Sequence, residues 1–404
     1  MTGDIDLVSL SSYAHGHPVG QYAWLRDNDP VHWHEEPGGP GFWAVTRHED
    51  VKAVGRNAAL FSSRPTIMIN DGSATDFGGR TMMLTMDPPR HTQYRKLVSP
   101  SFLRSAAGRM RPGIERLAAE IVDGVAGRDE FDLVEDVAGL LPSHVIAEML
   151  GIPRQDGVEL YQLTETLHAD PASLPEGAGM AAVSEMFSYA SGVWNQKRAH
   201  PGDDLASVLV AAQVDGHGLD EIDFGLFFLL LVDAGGDTTR NLVAGGMDAL
   251  FQHPGERARL TADPGLLPAA IEEMLRWTSP VIYMRRTATA GTELGGQQIA
   301  AGQKVVMYYG SANRDSRAFE EPERFDITRM PNDHLAFGGG GPHFCLGSHI
   351  ARVEIDALFR QILTRLPDLH KTGETQWQPS TFISGPKHIR VRCSRSRNAA
   401  TELL

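Results

Sequence analysis

FGGGGPHFCLG, at residues 337–347, is a glycine-rich stretch whose cysteine stands directly before an amphipathic segment. Glycine adopts positive φ without penalty, so several backbone N–H groups in such a loop can approach one sulfur atom. The positive end of a following helix lowers the pKa of a thiol, which favours a metal-bound thiolate. The sequence therefore predicts a thiolate metal site at Cys345, at the junction between a turn and a helix.

Two other interpretations of this loop have to be weighed. A phosphate-binding loop would end in Gly-Lys-Ser or Gly-Lys-Thr, and a dinucleotide-binding loop would have glycine in place of His343. Neither pattern is present. A buried structural cysteine in an ordinary turn stays open on this loop alone, so other motifs must decide.

Composition excludes several classes of partner. The 404 residues contain 37 Lys and Arg against 51 Asp and Glu, a net charge of -14 without a basic cluster, which disfavours nucleic acid. The longest apolar run, residues 224–232, is far shorter than the roughly 20 residues of a membrane span, and residues 1–8 lack the pattern of a signal peptide. With only Cys345 and Cys393, we expect free thiols in a reducing cytoplasm, with Cys393 serving for packing.

Residues 219–253 read as one long helix inside a mostly helical region, residues 112–260. Its middle is Ala234-Gly235-Gly236-Asp237-Thr238-Thr239, and each glycine there costs on the order of 1 kcal/mol relative to alanine. Asp237 and Thr238 directly follow an apolar run, where burial is expected. This placement of polar groups predicts a functional groove. Close helix packing at the glycines, with Asp237 on the surface, is the alternative.

Three further patterns are ambiguous by themselves. His91 and Arg95 follow Asp87-Pro88-Pro89 one helical turn apart, which suits a carboxylate ligand or a solvated surface. His32 and His34 share one face of a predicted strand and form either a metal pair or a surface pair. Residues 64–86 predict a loop that lines an apolar pocket or packs on the core, because of its apolar side chains Ile67, Met68, Ile69, Phe77, Met82, Met83 and Met86.

Taken together, Phe337, Gly338, His343, Cys345 and Gly347 resemble the haem-binding loop of the cytochrome P450 family. The loop here has eleven residues instead of the usual ten, and the longer form resembles that of bacterial members that hydroxylate steroids and branched lipids. The resemblance implies that Cys345 is the axial ligand of the iron of haem b. The electron donation of its thiolate favours cleavage of the O–O bond.

The resemblance also assigns roles along the chain. Ala234 and Gly235 line an oxygen groove, Thr238 holds the distal oxygen atom and Asp237 delivers protons. The haem propionates are bound by His91, Arg95, Arg286 and His343. The implied substrate contacts are Met82, Met83, Val281, Ile282, Tyr283, Phe382 and Ile383.

A buried structural pair is implied as well. Among the Glu-x-x-Arg motifs, Glu273 with Arg276 lies in an apolar segment, whereas Glu256 with Arg259 lies in a polar one. The first therefore matches the family's buried pair, with Arg324 as a second arginine on the same carboxylate.

The implied fold is one mainly α domain over residues 1–404 with a long central helix over the haem and a small β part at about 31–46, 287–313 and 380–394. The implied function is a monooxygenase that uses O2 to hydroxylate a C–H bond of a hydrophobic small molecule, such as a steroid, lipid or terpenoid. Electrons would come from a ferredoxin and its reductase, docked by Arg104, Arg109 and Arg352. The alternatives are a haem-thiolate protein that only binds a ligand or gas, and a peroxide-driven or rearranging enzyme acting on a polyketide or peptide intermediate.

Overall fold

The computed structural model describes residues 5–71, 79–169 and 174–393, and α-helices dominate them, as predicted. In chain order they are α1 (Val19–Asn28), α2 (His48–Arg56), α3 (Arg90–Val98), α4 (Arg104–Val125), α5 (Leu140–Leu150), α6 (Arg154–His168), α7 (Ala178–Ala199), α8 (Leu205–Val210), α9 (Glu221–Gln252), α10 (Pro254–Ala262), α11 (Leu267–Thr278), α12 (Tyr309–Ala312) and α13 (Ser348–Arg365). Proline and glycine at residues 151–153, 170–171, 200–202 and 253–254 predict breaks in the helical region. The first, third and fourth of these sites separate successive helices. The predicted break at residues 170–171 lies outside the described residues, as does Phe77.

The long helix α9 is the centre of the molecule. Its 32 residues correspond to roughly 48 Å at 1.5 Å per residue. The carboxylate of Asp220 caps its first turn by accepting a hydrogen bond from Asp223 N, and the helix is unbroken at Gly235 and Gly236. Because α9 is buried along most of its length, its stability comes from packing against α5, α6, α7 and α11 on its sides.

A five-stranded sheet joins the first part of the chain to residues 283–308. Its strands are β1 (Val31–His34), β2 (Phe42–Val45), β3 (Phe61–Ser62), β7 (Tyr283–Ala288) and β10 (Lys304–Tyr308), in the spatial order β1-β2-β10-β7-β3. The β1–β2 hairpin was predicted, and β10 runs parallel to β2 with Lys304 opposite Phe42. In β7, Arg286 lies opposite Val305, which fixes the face on which it projects.

The remaining strands form small ladders. They are β4 (Glu130–Asp132), β5 (Gln213–Val214), β6 (His217–Gly218), β8 (Thr292–Leu294), β9 (Gln297–Ile299), β11 (His370–Lys371), β12 (Gln376–Trp377), β13 (Pro386–His388) and β14 (Arg390–Arg392). The sequence did not predict β3, β4, β5, β6, β11 or β12, which are two or three residues long. Residue 394, the end of the predicted third β segment, lies outside the described residues.

Several minor expectations can be compared directly with the packing. Cys393 is buried in the main apolar core, in agreement with a packing role. His32 Nδ1 pairs with Asp29, and His34 is held between Leu7 N and Glu35 O, so these two histidines do not form a metal pair. Within the described parts of the chain, no helix is both long enough and apolar enough to cross a membrane.

Candidate functional site

A cavity of about 950 Å³ lies between α9 and the glycine-rich loop before α13. Its lining is largely apolar, with leucines of α9 and the methionines of the segment before α3. All twelve residues predicted to hold the cofactor or to transfer protons line this one cavity, namely His91, Arg95, Ala234, Gly235, Asp237, Thr238, Arg286, Phe337, Gly338, His343, Cys345 and Gly347.

Cys345 lies just before the N-terminus of α13 and is held there by its own loop. Its backbone N–H donates to Phe337 O at 2.9 Å, which closes the loop upon itself. Burial raises the pKa of the Cys345 thiol, while the N–H groups of Gly347 and Ser348, together with nearby arginines, act in the opposite direction. These two N–H groups at the start of α13 therefore face the sulfur and would stabilise a thiolate.

The longer loop is accommodated by packing against α2. Gly338, Gly340 and Gly341 all have φ between +78° and +94°, which favours glycine. A Cβ on Gly341 would lie 2.4 Å from Gly55 O, and one on Gly339 would lie 3.0 Å from the Lys52 Cα. The glycine run thus lets the loop approach the backbone of α2 closely.

Phe337 and Arg352 form a layer beside Cys345. The guanidinium of Arg352 lies 4.5 Å from the centroid of the Phe337 ring, and its Nε lies 2.6 Å from Glu272 Oε1. His334 Nε2 contacts the other oxygen of Glu272 at 3.0 Å. Arg352 is therefore engaged in packing and pairing, while its side chain stays 34% exposed.

Four basic side chains converge on one edge of the cavity. The rings of His91 and His343 lie 4.1 Å apart between centroids, and the charges of Arg95 and Arg286 act on both rings. Burial, followed by the charges of the two arginines, lowers the pKa of His91 to about 4. Burial and the same arginines, with His91, lower the pKa of His343 to about 2. The positive charge of this edge therefore comes from Arg95 and Arg286, and with the two imidazoles as hydrogen-bonding groups it is complementary to an anionic ligand.

The residues of the cavity fit a haem. The thiol of Cys345 supplies a ligand for iron, the cationic edge matches two propionates, and the apolar lining suits a porphyrin ring. The buried Nδ1 of His91 has no hydrogen-bond partner in the described chain, which leaves it available to a ligand. His343 Nε2, in contrast, contacts Ser63 Oγ at 3.0 Å.

Thr238 and Asp237 occupy the middle of α9 but face different surroundings. Thr238 Oγ1 donates to Ala234 O at 3.1 Å and borders the cavity. The side chain of Asp237 is 0% exposed, and Tyr161 OH donates to its Oδ1 at 2.7 Å. His168 Nδ1 contacts its Oδ2 at 2.5 Å. Asp237 is thus a buried, fully bonded carboxylate and not the surface residue of the alternative interpretation.

The sequence did not predict the side chains that bond Asp237. His168 Nε2 also pairs with Asp233 Oδ1 at 3.1 Å, one turn before Asp237 on α9. On the other side, Arg240 lies 3.7 Å from Asp237 Oδ1 and contacts Tyr161 OH. The only local signal was the i, i+4 spacing of the two aspartates, since Tyr161 and His168 belong to α6.

The two adjacent glycines of α9 have different environments. A Cβ on Gly236 would lie 2.7 Å from the ring of Tyr161, whereas a Cβ on Gly235 would lie 3.7 Å from the nearest atom, in Ile146. Gly236 is therefore required by helix packing, and Gly235 borders the cavity without a tight neighbour.

Alanine substitutions should separate these two roles. Gly236→Ala should lower the free energy of unfolding by about 1–3 kcal/mol, because the pinned Tyr161 ring must move. Gly235→Ala is the matched control. It should leave the free energy of unfolding unchanged or raise it by up to about 1 kcal/mol, because alanine favours the helix more than glycine does. Urea midpoints of the two variants would measure this, and equal losses would contradict the assignment.

The predicted substrate contacts fall into two groups. Met82, Met83, Val281, Phe382 and Ile383 line the cavity. Ile282 and Tyr283 do not line it among the described residues: Ile282 is buried in the second apolar core, and Tyr283 OH is bonded by Ile69 N. The prediction for these two residues is therefore wrong. Side chains alternate along β7, so Met284 and Arg286 face the cavity while Tyr283 and Arg285 face away from it.

The buried charge pair is present with a different second arginine. Arg276 donates to both oxygens of Glu273 at 2.8 Å, and both side chains are 0% exposed. The second arginine on this carboxylate is Arg329, with Nε at 3.1 and 3.2 Å. The prediction for Arg324 is wrong, because its side chain is 56% exposed and pairs with Glu321, while only its carbonyl accepts from Arg276.

Comparison with known proteins identifies relatives over nearly the whole chain. A family profile described as Cytochrome P450 matches residues 204–390. The methyl-branched lipid omega-hydroxylase of Mycobacterium tuberculosis is 40% identical over 409 residues, covering 97% of this chain and 95% of the relative. The steroid C26-monooxygenase of Mycolicibacterium smegmatis is 36% identical over 402 residues, covering 96% and 93%.

A solved structure shows the same architecture. A cytochrome P450 of Mycobacterium marinum in complex with pseudoionone superposes with a TM-score of 0.90 at 39% identity. The superposition covers 96% of this chain and 98% of that one.

Proposed function

This chain belongs to the cytochrome P450 family of haem-dependent monooxygenases, and from that premise we propose that it hydroxylates a hydrophobic lipid or steroid with electrons from a ferredoxin. The observation that carries the proposal is the placement of Cys345, the cationic edge, and Asp237 and Thr238 around one apolar cavity. The same placement favours oxygen activation over simple gas or ligand binding, because a passive binder has no need for a proton-transferring pair.

The protein holds its cofactor with residues of both walls. Cys345 would bind the iron, and His91, Arg95, Arg286 and His343 would hold the propionates. When bound, the haem supplies the reduction of O2 and the transfer of one oxygen atom to carbon. Phe337, which lines the same cavity, is packed under the guanidinium of Arg352.

The middle of α9 carries the groups that would supply protons to the cavity. Hydroxylation converts RH, O2, two electrons and two protons into ROH and water, so each turnover must bring two protons into an apolar cavity. Thr238 presents its hydroxyl at the cavity wall, bonded back to Ala234 O, and Asp237 follows on the buried side. We assign orientation of the protons to Thr238 and their supply to Asp237.

The substrate class follows from the cavity and from the relatives. The lining of the cavity includes leucines of α9 and Met82, Met83, Phe382 and Ile383, which would bury an apolar molecule. The two curated relatives described above act on a methyl-branched lipid and on a steroid. A branched-chain fatty acid or a sterol is therefore our proposed substrate.

The electron donor is proposed from charge and exposure. Arg104 and Arg109 are exposed at the start of α4, beside the exposed Leu103. Helix α4 packs along α13, the helix that begins next to Cys345. An acidic ferredoxin would find basic and apolar groups on this face.

Thr238→Ala tests the proposed reaction. With a ferredoxin, its reductase and a substrate of the proposed class, we expect product formation to fall roughly 10²-fold, the lower end of what a positioned proton donor contributes. Electrons and protons would then leave as H2O2, so peroxide release should rise. Product and peroxide per electron consumed are the quantities to measure.

A threonine on another helix provides the control. Thr261 Oγ1 donates to Arg257 O at 2.9 Å, four residues earlier. Thr238 makes the same kind of bond to Ala234 O, but Thr261 lies on the surface helix α10. Thr261→Ala should leave both quantities unchanged. Unaltered product formation in Thr238→Ala would refute the monooxygenase assignment of Thr238 and favour a peroxide-driven or rearranging reaction.

A further inference from the structure

Among the described residues, the groups that bond the Asp237 carboxylate are other side chains, and these decide its protonation. Its side chain is 0% exposed, and both carboxylate oxygens are occupied, one by Tyr161 OH at 2.7 Å and the other by His168 Nδ1 at 2.5 Å. Arg240, at 3.7 Å, cannot give up a proton at physiological pH. Burial raises the pKa of Tyr161 far above its ordinary value, so this phenol is also a poor donor.

His168 is the remaining partner, and it is placed between two carboxylates. As the last residue of α6, it contacts Asp237 with Nδ1 and Asp233 with Nε2, the latter at 3.1 Å. The side chain of Asp233 is 28% exposed and that of His168 is 11% exposed, so exposure falls from Asp233 to His168 to Asp237. The imidazole is thus the only titratable group in the described chain that joins the two aspartates.

From this geometry we infer that His168 is a positioning residue that keeps Asp237 charged and correctly oriented for proton supply to the cavity. The inference rests on the proposed function and extends it to a residue that acts through Asp237. An imidazolium between Asp233 and Asp237 balances two negative charges that would otherwise lie one helical turn apart in a buried region.

The remaining charges around the ring support this assignment. On α6, Glu165 pairs with Arg240, and Lys387 on β13 pairs in turn with Glu165. Glu135 also pairs with Arg240, so that arginine is already shared among several carboxylates. His168 itself is flanked by the ring of Phe382, which carries no charge. Within the described residues, the charge that faces Asp237 most directly is therefore that of His168.

The protonation states agree with this placement. Burial alone would lower the pKa of His168, but Asp233 and Asp237 outweigh it and raise that pKa well above its ordinary value. Burial alone would raise the pKa of Asp237, but the bonds and charge of His168, then Tyr161 and Arg240, lower it. With the histidine removed, burial would dominate and Asp237 would take up a proton at higher pH.

Infrared spectroscopy of His168→Gln tests the inference without requiring turnover. Glutamine keeps a hydrogen-bond donor but removes the charge, so we expect a carboxylic-acid C=O band that titrates about 1–3 pH units higher than in the wild type. The band should be absent from the double variant His168→Gln with Asp237→Asn, which assigns it to Asp237. Tyr161→Phe, which removes a hydrogen bond but no cation, should shift the titration less.

Measurement of product formed per electron provides a second test. In His168→Gln, product per electron should fall with O2 and ferredoxin, because Asp237 loses the contact that orients it. Product should persist with added H2O2, because RH and H2O2 yield ROH and water without further protons. An unchanged titration of Asp237 would overturn the inference, whether or not the protein hydroxylates anything. A shifted titration with a wild type that turns over no substrate would uphold the role of His168 and count against the proposed function instead.

Discussion

Replacing Cys345 by serine should abolish the red-shifted Soret band that a thiolate ligand gives to the reduced haem protein with carbon monoxide, and hydroxylation should fall to background. Only sulfur can form a thiolate here, and the N–H groups of Gly347 and Ser348 are directed at it. A serine hydroxyl in the same place would remain protonated and would donate far less electron density to iron. Absorption spectra of the reduced, carbon monoxide-bound protein measure the loss directly.

The second cysteine is the matched control for this experiment. Cys393 is buried in the main core and follows β14, and it does not line the cavity of the described residues. Cys393→Ser should therefore keep the band, apart from some loss of stability through burial of a hydroxyl. A red-shifted band that survives in Cys345→Ser would overturn the assignment of the iron ligand.

Arg276→Met should lower the free energy of unfolding by about 3–5 kcal/mol, the cost of breaking a buried charge network by removing one partner. Arg276 is 0% exposed, donates twice to Glu273, and also bonds the carbonyls of Asn313, Pro322 and Arg324. Methionine keeps an unbranched apolar stem but leaves these acceptors without a donor. Urea midpoints of the haem-loaded proteins measure the difference.

A Glu-x-x-Arg motif on the surface, Glu256 with Arg259, is the comparison for this variant. Arg259 is 46% exposed and pairs with Glu256 at 2.9 Å, so Arg259→Met should cost no more than about 1 kcal/mol. Equal losses in the two variants would show that the buried network does not stabilise the fold beyond an ordinary surface pair.

Local chemistry explains why so much of the site could be predicted. A cysteine after a glycine run, and two glycines with an acid and an alcohol inside one helix, are recognisable within eleven residues or fewer. The cavity brings these motifs together as expected. The packing of the longer loop against α2, however, depended on the close approach of Gly341 to Gly55, which no local pattern encodes.

Contacts between distant elements were harder to predict. His168 and Asp237 lie on α6 and α9, and nothing near His168 indicates its partner. Arg324 and Arg329 belong to an irregular segment, where the backbone turn decides which side chain reaches Glu273. For Tyr283, the side-chain direction is set by the register of β7 on β10, with Tyr283 opposite Tyr308. Ile282 precedes β7, and its backbone N–H donates to Phe382 O.

The five-stranded sheet has a consequence for the order of events during synthesis. Its register pairs Phe42 with Lys304 and Phe61 with Ala288, so the early strands meet their partners only when most of the chain has been made. At a translation rate of about 5–20 residues per second, this delay is on the order of ten to fifty seconds. During that time the apolar β1–β2 hairpin presents an open edge, which is prone to wrong pairing. The wall of the cavity that carries Arg286 is consequently completed late, so haem is expected to enter a nearly finished chain.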